Sequence, residues 1–169
     1  REKAPAGPYL LTPQDISRFS YFTFQTVARY GSVKHAPAEL KTADKKSGLG
    51  YLTNIEIWNE QNHADFGKWG GAVPYYKFFR TAAEAAKRAD PNILISNGGF
   101  SGISVRLADG LRSIKYDDGK CPLDFVDVLS VHFYTGRAAP EIAKVNSNTS
   151  YLLGKDPRTF EQNLVLLRN

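Results

Sequence analysis

Methionine is absent from this chain of 169 residues, and cysteine occurs once, at Cys121. A single cysteine excludes an internal disulfide, so cysteine usage does not decide the cellular compartment. The first eight residues, Arg-Glu-Lys-Ala-Pro-Ala-Gly-Pro, contain neither an initiator methionine nor an apolar signal core. We therefore expect a processed, trimmed or excerpted polypeptide, and we leave the location open, with secretion or the periplasm as an option.

Several functional classes lack their usual signals in this sequence. No apolar run approaches the ~20 residues of a membrane helix, which argues against a membrane partner. The glycine-rich stretch at 97–102 has neither the lysine of a phosphate loop nor the spacing of a dinucleotide fold, so nucleotide binding is disfavoured. The net charge is +5, but the basic residues are scattered and have no interleaved aromatic side chains. We therefore expect no nucleic-acid partner.

The pattern of apolar residues predicts helices that alternate with strands, which is typical of an α/β fold with a parallel sheet. Thr12 and Pro13 favour a helix entry, and Gly31 favours its end. The predicted helices are Ile16–Tyr30, Val73–Ala89, Val105–Lys115 and Pro157–Arg168. The predicted strands are Tyr51–Trp58, Asn92–Ser96 and Phe125–Tyr134.

Polar side chains follow each predicted strand, at the edge where parallel α/β folds build their sites. The first strand ends at Trp58, and Asn59 and Glu60 follow it. A Trp face can stack on a sugar ring, an Asn amide can bond a ring hydroxyl, and a Glu can act as a general acid. Asn97 follows the second strand, and the third strand ends with His132 and Tyr134. This combination indicates glycoside chemistry.

Other candidate residues have two interpretations each. His132 and Tyr134 are two apart on a strand, so both point to one face, as site residues or as packed core residues. Trp58 is either a stacking platform or a core residue, and Asn97 either reaches substrate or holds the following glycine turn. His63 and Asp65 could contact substrate; a metal site is the weaker interpretation, because a third ligand is not evident. We expect no cofactor.

The sequence around the first strand end resembles the (β/α)8-barrel glycoside hydrolases of clan A. Those enzymes commonly carry Trp-Asn-Glu-Pro-Asn after the fourth strand, and this chain departs from that motif at Gln61, in the loop after the acid. The downstream layout is most similar to family 39, the xylosidase and iduronidase group. The clan resemblance is carried by Ile57-Trp58-Asn59-Glu60-Gln61-Asn62 and by the strand at 125–134, which looks like the sixth barrel strand. The resemblance to family 39 is carried by the Trp-Asn-Glu strand, by the loop with His63, Asp65 and Phe66, by a Tyr-rich helix, and by an Asp-Pro strand that ends near Gly-Gly.

The resemblance implies a single partial TIM-barrel domain over residues 1–169, from the third to the sixth helix, with strands four to six. It implies a retaining, double-displacement glycosidase in which Glu60 is the general acid/base. Asn59 would bond the sugar hydroxyl beside the reacting carbon, His132 would line the site, and Tyr134 would orient the nucleophile. The nucleophilic Glu, at the end of the seventh strand, would lie outside this chain.

Two hypotheses follow for an oligosaccharide or polysaccharide ligand. In the first, the chain is the central piece of a glycosidase, inactive alone and completed by the remaining barrel segment or another chain. In the second, it is a non-catalytic carbohydrate-binding or interaction fragment that keeps Trp58, Asn59 and Tyr134. Both expect a partner, because a half-barrel leaves two unpaired strand edges. They differ in whether a second carboxylate faces Glu60.

Overall fold

A computed structural model describes residues 12–61, 72–101, 110–132, 161–162 and 164–165. Its two long helices are α1, Pro13–Tyr30, and α2, Ala72–Ala89. The strands are β1, Asn54–Ile57; β2, Leu94–Asn97; β3, Phe100–Ser101; and β4, Val131–His132. Short 3₁₀ turns occupy Pro37–Glu39 and Pro122–Phe125. Residues 110–113, 161, 162, 164 and 165 are helical.

Helix α1 begins where its sequence predicts. The Thr12 hydroxyl accepts a hydrogen bond from the Asp15 amide at 3.2 Å, and the Asp15 carboxylate accepts one from the Thr12 amide at 3.1 Å. This reciprocal capping box satisfies amides that the first turn leaves unpaired. The helix ends at Gly31, whose amide donates to the Val27 carbonyl at 2.7 Å. The predicted entry and end of this helix are confirmed.

Helix α2 buries one face, as its 3.6-residue pattern predicts. It packs against α1 through Phe78, whose ring centroid lies 4.3 Å from that of Phe19. The Ser20 hydroxyl donates to the Thr81 carbonyl at 3.2 Å, across the same helix pair. The face consists of Tyr75, Phe78, Phe79, Ala82, Ala83 and Ala86, all of which are buried. These side chains form the core together with buried residues of α1 and of strands β1, β2 and β3.

The strands pair in parallel, as the alternation of helices and strands predicts. In the first pair, β1 and β2 run in register from Asn54 opposite Leu94 to Ile57 opposite Asn97. In the second pair, β3 lies beside β4, and a single parallel bridge joins residues 96 and 128. The described chain is therefore a mixed helix and strand structure with short parallel sheets, compatible with the α/β class. These short strands do not show whether the sheet belongs to a barrel.

Some predicted boundaries are wrong. The first strand is shorter than predicted, and its extended pairing ends at Ile57. The strand predicted from Phe125 begins only at Val131. A 3₁₀ turn, Pro122–Phe125, occupies its predicted start, where the Cys121 amide bonds the Asp124 carboxylate at 2.7 Å and Pro122 begins the turn. The helix predicted to reach Lys115 is helical at 110–113 but not at 114–116. The predicted start of that helix, at Val105, and the loop at 62–71 lie outside the described residues.

A bilayer-spanning helix is not found in the part of the chain that the structure describes.

The carboxylate of Asp90 joins the C-terminal ends of both long helices. It accepts hydrogen bonds from the Ser32 amide at 2.6 Å, the Ser32 hydroxyl at 2.7 Å and the Asn92 amide at 2.9 Å. A Cβ atom at Gly31 would lie 2.8 Å from Asp90 Oδ2, so the approach requires glycine. Burial acts to raise the pKa of Asp90, but the bonds from Ser32 and Asn92 outweigh it and hold that pKa below its usual range.

We expect Asp90 to contribute to acid sensitivity of the fold. A carboxyl with a lower pKa in the folded state stabilises the fold above its unfolded pKa, about 3.9, and this stabilisation is lost as the pH falls through the folded value. Urea unfolding of the wild type and Asp90→Asn at pH 7 and pH 3 measures this. The wild type should lose more stability than the variant between the two pH values. An equal loss in both proteins would contradict the assignment, and the exposed Asp117→Asn serves as control.

Candidate active site

The candidate site lies where the ends of β1, β2 and β4 meet, and Glu60 is its most buried carboxylate. Glu60 follows β1 in the chain, and the whole residue is 8% exposed. Its amide donates to the carbonyl of Gly98 and, at 3.1 Å, to that of Gly99. Both Trp58 and Glu60 have positive φ angles, 79° and 44°. Non-glycine residues adopt this conformation at a cost, and such strain concentrates at functional sites.

Glycine at position 98 allows the ends of β1 and β2 to approach. A Cβ atom there would lie 2.7 Å from the Ile57 carbonyl oxygen, 2.7 Å from the Trp58 carbonyl carbon and 2.9 Å from the Asn59 nitrogen. All three are backbone atoms, which cannot rotate out of the way as a side-chain tip can. The backbone of Glu60 is therefore positioned by a contact that only glycine permits.

The imidazole of His132 bonds the Glu60 carboxyl directly. His132 Nδ1 lies 3.0 Å from Glu60 Oε1. The ring stands over Gly99, which has a φ of +48° and whose position leaves no room for a Cβ atom beneath the ring. The structure therefore brings together two residues, 72 positions apart, that the sequence placed at the ends of different strands.

Sequence reasoning missed Glu56 as a member of this cluster. One oxygen of Glu56 accepts a hydrogen bond from the Ser130 hydroxyl at 2.5 Å, and the other lies 3.6 Å from His132 Nε2. The available signal was an acidic residue between Ile55 and Ile57 in an otherwise apolar strand. Because side chains alternate along a strand, Glu56 projects to the face opposite the buried Ile57.

Asn97 is fully buried and connects two strands. Its amide nitrogen donates to the Ser130 carbonyl at 3.0 Å, and its amide oxygen accepts from the Ser130 amide at 2.8 Å. These bonds join the end of β2 to the residue before β4. The side chain bonds Ser130 and not the Gly98-Gly99 turn that it was predicted to hold, and its assignment to substrate binding stays a prediction.

The buried hydroxyl of Tyr75 bonds two backbone segments next to Glu60. It donates to the Ile57 carbonyl at 2.9 Å and accepts from the Gly98 amide at 3.1 Å. It therefore links the end of β1 to the glycine that follows β2. Burial raises the pKa of Tyr75 well above its usual value, so the phenol stays protonated and able to donate.

We expect Tyr75→Phe to destabilise the fold by about 1–3 kcal/mol, because it leaves the buried Gly98 amide and Ile57 carbonyl without this partner. Chemical denaturation measures the change. Tyr21→Phe on the exposed face of α1 is the matched control and should shift stability by less than about 0.5 kcal/mol. Equal small effects of the two substitutions would show that the Tyr75 hydroxyl contributes little.

The remaining predicted site residues differ in position. Trp58 is 39% exposed, and its ring meets the Phe78 ring edge-on with centroids 6.0 Å apart. It thus has both a packed edge and an accessible surface. Asn59 is exposed beside it. His63 and Tyr134, with the neighbouring Asp65 and Phe66, lie outside the described residues.

A metal centre has no support in the described ranges, where no group of three or more His, Cys, Asp or Glu side chains is arranged to hold an ion. Asp127 lies away from the site. Its carboxylate accepts from the Ile95 amide at 2.9 Å and pairs with Lys87, in the last turn of α2, at 2.8 Å. It therefore secures the beginning of β2, at the opposite end from Glu60.

Comparison with known proteins gives a partial likeness. The chain is similar to a beta-xylosidase from Geobacillus stearothermophilus, with 32% identity over 85 residues. The aligned stretch is 50% of this chain but spans only 16% of the length of that protein. No protein-family model matches the chain, and no solved structure matches it. The likeness supports a glycoside-hydrolase-like chain and is too partial to assign a clan or family.

Proposed function

We propose that this chain carries the acid/base part of a retaining glycoside hydrolase of the clan A barrel type, nearest to family 39. The observation that carries the proposal is the buried Glu60 carboxyl, which is bonded to His132 at the ends of parallel strands, while the Glu60 backbone amide donates to the Gly98 and Gly99 carbonyls. A carboxyl in such a place is shielded from water but reachable from the strand edge, as a general acid requires. The similarity to a beta-xylosidase supports the same reading.

In this mechanism, Glu60 acts twice. It first donates a proton to the glycosidic oxygen while a second carboxylate attacks the anomeric carbon from the opposite face. It then removes a proton from the water that hydrolyses the glycosyl-enzyme intermediate. Retaining enzymes place the two carboxyls about 5–5.5 Å apart. The clan that this chain resembles carries the nucleophile at the end of the seventh barrel strand, so we assign the nucleophile to a Glu outside this chain.

Trp58 and Asn59 are the substrate-binding candidates nearest Glu60. Trp58 offers an accessible ring for stacking on a sugar, and Asn59 offers an amide for the hydroxyl beside the reacting carbon. His63 and Tyr134 belong to the same proposal through the sequence alone. The name of the similar protein makes an aryl β-xyloside the first substrate to test.

The test compares two samples: the 169-residue chain and a longer polypeptide that contains it together with the proposed nucleophile. Intact mass and size-exclusion chromatography establish the composition of each sample. Hydrolysis of an aryl β-xyloside should be negligible with the short chain and measurable with the longer one. If the longer polypeptide is folded and inactive toward a panel of aryl glycosides, the proposal is wrong.

The second candidate is a non-catalytic carbohydrate-binding fragment, and the exposed part of Trp58 favours it. Calorimetric titration of the chain with xylo-oligosaccharides tests this function directly. Binding that is lost in Trp58→Ala and retained in Glu60→Gln, without hydrolysis in any longer form, would favour the fragment over the enzyme.

A further inference from the structure

The turn that carries Glu60 is strained, and contacts on both sides of it determine its position. Trp58 and Glu60 both have positive φ angles, which non-glycine residues adopt at a cost. Before the turn, the Tyr75 hydroxyl bonds the Ile57 carbonyl at 2.9 Å. Directly after Glu60 comes Gln61, which is 6% exposed. The surroundings of Gln61 therefore affect how firmly the second side of the turn is held.

The Gln61 side chain is buried beside Tyr76, the neighbour of Tyr75 on α2. Tyr76 is 4% exposed, and its ring meets the Tyr75 ring edge-on with centroids 4.8 Å apart. Burial raises the pKa of the Tyr76 phenol, and the Gln61 amide acts against that rise, as an N–H group that faces a phenol oxygen does. Two adjacent tyrosines of α2 therefore contact the turn, one before Glu60 and one after it.

The Gln61 amide is nevertheless poorly satisfied. Its nitrogen and its oxygen are both buried, and neither makes a hydrogen bond of normal geometry within the part of the chain that the structure describes. A buried amide without such a bond has lost its hydration and destabilises the fold. A methionine has nearly the same shape and would avoid that cost. Stability thus does not explain the amide, whereas buried polar groups of this kind can specify one conformation.

We propose that Gln61 is a positioning residue, whose amide fixes the turn against the Tyr76 hydroxyl and so holds the Glu60 carboxyl in one place. A polar contact is directional, because it weakens steeply when donor and acceptor move out of line. Apolar packing is not directional, so an apolar side chain would be buried equally well and would let the turn shift. The consequence for catalysis rests on the proposed function: a displacement of about 1 Å at a reacting group can cost ~10²-fold in rate.

Gln61→Met tests the proposal in the 169-residue chain, because it removes the amide and keeps the shape. Amide hydrogen exchange is followed at Glu60, whose N–H donates to the Gly98 and Gly99 carbonyls, and Tm is measured on the same sample. We expect exchange at Glu60 to become about tenfold faster while Tm stays equal or rises. Unchanged exchange at Glu60 in the folded variant would overturn the proposal. A lower Tm with the same acceleration at Ile95, in β2, would overturn it too, since the amide would then only stabilise the fold.

Tyr76→Phe tests the proposed contact from the other side. It removes only the hydroxyl, and we expect a similar acceleration at Glu60. The double variant should exchange no faster than either single variant, because the contact is already lost in each. Additive effects would contradict a direct contact between the two side chains. Tyr76→Phe also decides the question if Gln61→Met does not fold, and Gln14→Met, at an exposed position of α1, is the control.

Kinetics in the longer polypeptide separate this role from the proposed function. Gln61→Met should lower kcat by roughly 10–10²-fold on aryl glycosides and leave KM nearly unchanged, because the buried amide does not touch substrate. Wild-type kcat in Gln61→Met, with Glu60→Gln impaired, would overturn the positioning role and leave the glycosidase standing. An inactive longer polypeptide would refute the glycosidase, while the exchange rates would still decide whether Gln61 fixes the turn.

Discussion

Glu60→Gln should lower kcat/KM by roughly 10²–10⁴ on aryl glycosides with poor leaving groups, which is the usual contribution of general acid–base catalysis. A glutamine has nearly the shape of a glutamate but cannot transfer a proton. The measurement is made in the longer polypeptide that supplies the nucleophile. The size of the loss should depend on the leaving group, because a strongly activated aryl group departs with little protonic assistance.

The dependence on leaving group separates acid catalysis from general damage. With an activated substrate, the first step should survive and the second, which needs Glu60 as base, should become slow. The glycosyl-enzyme then accumulates, and a burst of aryl product precedes a slow steady state. Glu84→Gln is the control and should retain wild-type kinetics. An equal loss on activated and poor substrates would argue against Glu60 as the acid.

Gly98→Ala should be among the most damaging single-methyl substitutions in the described chain. The added Cβ would lie within 3 Å of three backbone atoms of β1 and the turn after it. Overpacking of this kind costs about 1–3 kcal/mol, and we expect the upper end because no side chain can move aside. For a domain of this size, that corresponds to a fall in Tm of roughly 6–12 °C. Activity should fall further, since the turn that carries Glu60 must shift.

Gly110→Ala is the matched control for this substitution. A Cβ atom at Gly110 meets nothing within 4 Å, and the residue is helical. Replacement of a helical glycine by alanine should be neutral or stabilise by about 0.5–1 kcal/mol. Thermal unfolding of both variants measures the contrast. Similar Tm values for Gly98→Ala and the wild type would show that the ends of β1 and β2 are not in fixed contact.

The helices were predictable because their signals are local. The capping box of Thr12 and Asp15 needs only residues within one turn, and the buried face of α2 follows from spacing along one segment. Strand ends were less predictable. The apolar pattern continues beyond β1, but the chain turns at Trp58 and Glu60 into a left-handed conformation that neither residue favours. That conformation is imposed by contacts with Gly98 and Gly99.

The candidate site was predictable in its members but not in its connections. The sequence placed Glu60 and His132 at strand ends, because polar residues that follow apolar strands meet at one edge of a parallel sheet. It did not show that His132 bonds Glu60, since that contact joins residues 72 positions apart. Glu56 was missed because its neighbours are apolar, and an isolated charge within a strand does not identify its partner.

The sequence by itself determined the alternation of helices and parallel strands, the buried face of α2 and the acidic residue at a strand end, since each depends on local spacing. Tertiary structure alone decided which side chains meet. Glu56 reaches His132 and Ser130 because parallel pairing aligns β1, β2 and the segment before β4, and Asn97 is buried between strands for the same reason. Contacts between distant segments depend on register and on the space left by Gly98 and Gly99, and local composition encodes neither.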